Sequence, residues 1–208
     1  MPSLLAALWA GPVSETLECV KSTPQALLGI LAIALSACER DVASPVSGPE
    51  TDRAIVAAAL KDFVNWKEAT FGELEGVIEL EQNSMANAEA TPQTIRSLAH
   101  EASAKLSDDV IASFIERNKS PTVVTPLFSE TPWARPKQPS SEDVYDWELP
   151  KGAKAKGSLT LPGLSADRKH ALIQIHHSWS MHSAIVTYAL SFENSGWQIS
   201  ARGQAVFL

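Results

Sequence analysis

A chain of 208 residues, 45% of them hydrophobic and 20% charged, has ordinary globular composition and length enough for one domain with tails. The formal net charge of −7 at pH 7, with no run of Lys and Arg, excludes the electrostatic footprint of a nucleic-acid binder and a polybasic patch for anionic lipid. The only cysteines are Cys19 and Cys38, so the body from Glu39 onward has no disulfide framework and no thiolate nucleophile, which is compatible with an oxidising compartment.

Lys21 opens a short polar stretch, an apolar run over residues 26–35 follows, and Ser36-Ala37-Cys38 ends it. A charged start, roughly 7–15 apolar residues and a small-residue cleavage site make a secretory signal peptide. The run is shorter than the about 20 apolar residues that a spanning helix needs. Its last four residues, Leu35-Ser36-Ala37-Cys38, resemble the lipobox of bacterial lipoproteins. That resemblance implies diacylglycerol on the Cys38 sulfur, cleavage before Cys38 and acylation of the new amino group. Each buried CH₂ is worth about 0.8 kcal/mol, so one acyl chain binds marginally and two hold stably. Residues 38–50 are polar and rich in Pro and Ser, the composition of a flexible tether.

Residues 1–19 precede this leader. Valine can be encoded by GTG, a bacterial start codon, and a start at Val20 would make residues 20–37 a compact signal peptide. Residues 1–19 are then expected to be an untranslated extension, the alternative being an unusually long leader. The expected location is the cell envelope, with the membrane as partner through lipid on Cys38 and the domain in the periplasm or outside the cell.

Behind the tether, residues 51–208 are expected to form one domain. Thr51 or Asp52 would cap a helix in which Ile55, Ala59, Phe63 and Trp66 recur at helical spacing. Residues 76–81 read as a short strand. Thr91 followed by Pro92 predicts an N-cap with proline in the first turn, opening a helix with Ile95, Leu98, Ala102 and Leu106 inward. Ser107-Asp108-Asp109 caps another helix and places acidic residues in its positive first turn. Its buried stripe is Val110, Ile111, Phe114 and Ile115, and Ser120-Pro121 ends it. A Pro-rich connection over residues 121–150 carries Trp133, Tyr145 and Trp147, which predicts that it lies on the body.

Strands are expected over residues 168–178, 183–192 and 197–207, with Glu193-Asn194-Ser195-Gly196 as the second turn. The first turn aligns Ala171 with Leu190, Ile173 with Tyr188 and Ile175 with Val186. The second aligns Leu190 with Ile199, Tyr188 with Ala201 and Ala184 with Ala205. Both registers put apolar residues on one face and Gln174 and Thr187 on a solvated one. Leu159 and Leu161 add a strand before the turn at Pro162-Gly163, and Gly203 marks a bulge or a close contact. The expected class is α+β, with amphipathic helices on one face of a C-terminal antiparallel meander. A curved sheet of the nuclear-transport-factor-like kind is the candidate topology.

Residues 161–173, 195–199 and 106–118 resemble uncharacterised bacterial envelope proteins. In these an L-S-x-D turn, here Leu164-Ser165-Ala166-Asp167, precedes an A-L-(V/I) strand, here Ala171-Leu172-Ile173. A G-W-x-(V/I) strand, here Gly196-Trp197-Gln198-Ile199, closes the sheet. Many members carry Gly or Cys in the hairpin where this chain has residues 176–182. The likeness covers about half of the chain beyond Cys38 and implies architecture, not an activity.

Candidate chemistry is sparse. His176, His177 and His182 are close enough in sequence for a metal site, but strand alternation sends His176 to the face opposite His177 and His182. No G-x-S-x-G elbow supports a Ser/His/Asp triad. Glu73, Glu75, Glu79 and Glu81 read as a solvating row protecting a sheet edge. Trp133, Tyr145, Trp147 and Trp179 could line a groove for glycan or peptide, against the plainer reading that they plug the core. The sequence therefore predicts no catalytic, cofactor or metal residue. It predicts a binding or interaction domain for an unidentified protein or small molecule, with a hydrolase on the concave face of the sheet as the alternative.

Overall fold

The computed structural model describes residues 48–66, 76–138, 149, 151–179 and 182–207, with the Trp179 side chain left aside. The leader, Cys38, Glu73, Glu75, Tyr145 and Trp147 lie outside the described residues. Both hydrophobic clusters fall inside one compact unit, Val42–Leu208, which therefore carries its own core.

Helix α1 spans Pro49–Asn65 and starts earlier than expected. Gly48 adopts a φ of 151°, which side-chain-bearing residues avoid, and Pro49 supplies a pre-set φ inside the first turn. The Gly48 carbonyl accepts from the Thr51 and Asp52 amides at 3.1 and 3.2 Å, so those two residues sit within the first turn and the N-cap is Gly48. Asp52 is free to take both oxygens to Arg117, at 3.0 and 2.6 Å. Ile55, Ala59 and Phe63 are fully buried, as their spacing predicts.

Strand β1 (Val77–Leu80) follows. Helix α2 (Pro92–Ala99) is capped by the Thr91 hydroxyl, which accepts from the Thr94 amide at 3.1 Å. It does not run on to Leu106: His100 takes a φ of 44° and residues His100–Lys105 form a separate 3-10 helix. Helix α3 (Asp108–Arg117) stops three residues before the Ser120-Pro121 signal, because Asn118 ends it. That fully buried side chain donates to Phe114 O at 2.8 Å and Leu161 O at 2.9 Å, and accepts from Leu161 N at 2.7 Å. The Pro-rich connection holds a short helix α4 (Thr125–Phe128) and strand β2 (Ala134–Pro136).

Strands β3 (Ala153–Leu159), β4 (Gly163–Leu164), β5 (His170–Trp179), β6 (His182–Glu193) and β7 (Gly196–Phe207) complete a mixed sheet. Its order is β2-β1-β3-β5-β6-β7, with β4 paired to β5. β1 lies parallel to both β2 and β3; the other pairs are antiparallel. Register β5–β6 is the expected one. Asn194 and Ser195, at φ 49° and 67°, make the two-residue turn after it, with the positive φ at both central positions that matches strand twist.

Register β6–β7 departs from expectation partway along. Leu190 pairs with Ile199, but Ala189 pairs with Ala201, so Ser200 is an extra residue and its hydroxyl donates to Ala189 O at 2.9 Å. Beyond this bulge Tyr188 pairs with Arg202 and Ala184 with Val206, not with Ala201 and Ala205. Gly203 is the close contact and not the bulge: a Cβ there would lie 1.9 Å from Ala99 O.

Helices cover both faces of the sheet, which corrects the expectation of helices on one face only. One cluster joins α1 and α4 to Ile173, Ile175, Val186, Tyr188 and Leu190. The other joins α2, the 3-10 helix and α3 to Leu172 and Ala189 on the reverse face. Gln174 and Thr187 are consequently 1% and 0% exposed. They are satisfied internally: Gln174 Nε2 donates to Thr187 Oγ1 at 3.1 Å, and the Gln174 amide to Thr160 Oγ1 at 2.9 Å. Strand alternation marks them as the polar face, but polar is not the same as wet. Gln174→Ala is therefore expected to cost about 1–3 kcal/mol, the penalty for stripping partners from buried polar groups. Urea unfolding of the Val42–Leu208 unit measures it, and a cost below about 0.5 kcal/mol would restore the half-exposed sheet.

Candidate functional site

The polar chemistry of the fold gathers around the C-terminal end of α1. That helix has no basic residue in its last turn to meet its final carbonyls. Lys154 meets them from β3. Val77 pairs with Ala153 and Ile78 with Ala155, which leaves Lys154 as the extra residue of a second bulge. Its ammonium donates to Val64 O at 2.8 Å and Trp66 O at 3.4 Å, at the negative end of the helix dipole. Lys154 is 4% exposed, and that burial lowers its pKa from the usual lysine value.

Arg202 approaches the same helix from β7. It donates to Asp62 Oδ2 at 2.7 Å and its guanidinium carbon lies 4.2 Å from the centre of the Trp66 ring, within cation–π range. The Ser200 bulge makes this possible, since an unbroken register would put Ala201 opposite Tyr188 and send Arg202 to the reverse face. The Tyr188 hydroxyl is buried beside Asp62. Burial first, and then the carboxylate charge, hold its pKa well above the ordinary phenol value.

Among the described residues, three concavities border this region and the start of α1. In the first, of about 490 Å³, Ala57, Ala58 and Lys61 of α1 are flanked by Trp133 and Trp197. Trp133 immediately precedes β2, at one edge of the sheet, and Trp197 belongs to β7, at the other. Residues near both edges of the sheet thus line one groove over α1. The second, of about 430 Å³, lies between Trp66, His100, Glu101 and Arg202. The third lies over the Asp52–Arg117 pair at the start of α1.

The sequence-predicted candidates are dispersed. His177 is fully buried with its ring edge-on to Phe63 at 4.8 Å between centroids. Burial, then the neighbouring His176 and Lys154 charges, push its pKa down to about 3. His176 sits on the opposite face, paired with Ser158 and Ile185, and burial lowers its pKa too. His182 stands at the hairpin tip opposite Trp179. Among the described residues no three His, Cys, Asp or Glu side chains converge as a metal cage.

Glu79 does not solvate an edge. β1 lies inside the sheet between β2 and β3, Glu79 is 5% exposed, and it accepts from Arg135 Nε at 3.3 Å. Glu81 accepts from Lys137 at 2.8 Å. Trp133 is half-buried against the main cluster, combining the core-plug and groove readings. The residues that sequence reasoning missed are Asp62, Lys154, Tyr188, Trp197 and Arg202, and the two bulges that bring the cations in leave no mark in residue periodicity.

The buried histidine dictates a pH response. Between pH 6.5 and about 3 the unfolded chain binds a proton at His177 that the native state refuses. The stability from keeping it neutral is complete above pH 6.5 and is lost as pH falls, by up to about 1.4 kcal/mol per unit. Denaturant midpoints are expected to drop between pH 7 and 5, and His177→Phe is expected to flatten that slope. Equal slopes in both proteins would contradict the burial. Comparison with known proteins identifies no relative: the chain matches no protein-family model, no curated protein and no solved structure.

Proposed function

We propose that the chain is an envelope lipoprotein, held to a membrane through lipid on Cys38, whose folded unit binds a partner and performs no chemistry of its own. The anchor rests on the order of charged start, apolar run, Leu35-Ser36-Ala37-Cys38 and Pro/Ser-rich tether. The binding role rests on one observation. The groups with displaced pKa values nearest α1, His177, Tyr188 and Lys154, are core residues and line none of the three concavities, whereas the groove over α1 is lined by the half-buried Trp133 and by one margin of the largely buried Trp197. A hydrolase would need clustered polar groups of displaced pKa inside a pocket, and that arrangement is not what these buried groups form. We read the groove shared by Trp133 and Trp197 as the mark of a curled sheet, a cone of the nuclear-transport-factor-like kind, with α1 inside it.

Metabolic labelling in a bacterial host tests the anchor. The wild-type chain is expected to take up palmitate, and Cys38→Ala is expected to abolish labelling and to accumulate as uncleaved precursor. A Cys38→Ala protein still labelled and processed normally would refute the lipoprotein reading.

A further inference from the structure

The sheet guards one edge and leaves the other open. At the guarded edge β2 is three residues long, ends on Pro136, and has Arg135 and Lys137 beside it, which are the features that resist pairing with foreign strands. At the other edge β7 runs for twelve residues and, among the described residues, pairs only with β6. It contains no Lys, Pro, Asp or Glu, and its one charge, Arg202, is turned inward onto Asp62. The outer side of β7 therefore presents main-chain donors and acceptors with little to repel a visiting strand.

A groove lies alongside the start of that edge. Trp197, Gln198 and Ile199 form one wall, Trp133 the opposite one, and Ala57 and Ala58 the floor. Two alanines leave room for a side chain, and two indoles give it apolar walls. Asp62 at its margin is already neutralised by Arg202, which leaves Lys61, among the described residues, as the charge in the groove without an ion pair.

We infer that this groove docks an extended peptide segment of a partner protein, which adds as a strand to residues 196–199 of β7 and sets one large apolar side chain over Ala57 and Ala58. Main-chain pairing supplies affinity in this mode and the pocket supplies specificity. The Ser200 bulge ends the regular edge and limits the pairing to the stretch beside the groove. A saccharide would use the indoles but leave the strand edge idle, and a second copy pairing β7 with β7 would meet the bulge twice. This inference rests on the binding role proposed above and is independent of the anchor, which palmitate labelling reads separately.

The test pans a phage library of random linear peptides on the Val42–Leu208 unit, with an Ala58→Trp variant, its fold checked by thermal unfolding, as counter-target. Enriched sequences are expected to share one large apolar residue in an alternating pattern. The matching synthetic peptide is expected to bind the variant at least about tenfold more weakly. N-methylation of its amides, one at a time, is expected to weaken wild-type binding at alternate positions only, because only every second amide of an added strand faces the edge. That scan uses wild-type protein alone, so it decides the matter even if Ala58→Trp does not fold. No enriched family, equal binding to a folded Ala58→Trp, or an N-methyl scan without alternation would overturn the proposal. So would saturable binding of cellohexaose in this groove, or dimerisation in sedimentation that Ile199→Lys abolishes.

Discussion

Helix α1 ends with carbonyls that its own sequence does not satisfy, and much of the structure is arranged around that end. Lys154 donates to two of them from β3, while Arg202 grips Asp62 one turn earlier and lies over Trp66 just beyond the helix. An ammonium buried to 4% exposure is tolerable only when well bonded. Each cation sits at or next to a bulge, Lys154 as the extra residue of β3 and Arg202 two residues beyond Ser200. Bulges re-aim side chains at the cost of local pairing, and here both re-aim a positive charge onto one helix. The groove between Trp133 and Trp197 and the burial of Tyr188 both depend on α1 being held there.

The second constraint is that neither face of the sheet is free. With α1 and α4 on one side and α2, the 3-10 helix and α3 on the other, a polar residue in the central strands must find its partner inside the protein. Gln174, Thr187 and Thr160 do so with one another, and Asn118 ties the end of α3 to the chain before β4. Such fully satisfied networks fix a unique packing and leave few reactive groups over. The proposed binding then falls to the rim, where Trp133 and Trp197 line one groove and, among the described residues, β7 pairs on one side only.

Much of this was legible in residue order. The hairpin register Ile173–Tyr188 follows from alternation, the start of α2 from Thr91-Pro92, and the close contact at Gly203 from a glycine inside a strand. The parallel pairs of β1 were not legible, because their partners lie more than fifty residues away and four-residue strands carry no period of their own. Burial of Gln174 was misread for a simpler reason. Alternation reports which side chains share a face, and says nothing about what covers that face. The site was the least legible part: Asp62 and Arg202 are 140 residues apart, and position 202 reaches the α1 face only because Ser200 is bulged out of the ladder and not paired within it.

That dependence can be measured directly by a double-mutant cycle between Asp62→Asn and Arg202→Met, run in the wild-type background and again with Ser200 deleted. The account predicts a coupling of about 1 kcal/mol or more in the wild-type background, within the range for residues in direct contact. It predicts that the coupling is retained in the deletion, because removing the extra residue leaves Ala201 opposite Ala189 and Arg202 opposite Tyr188. A coupling lost with Ser200, or one absent from the wild-type protein, would contradict it.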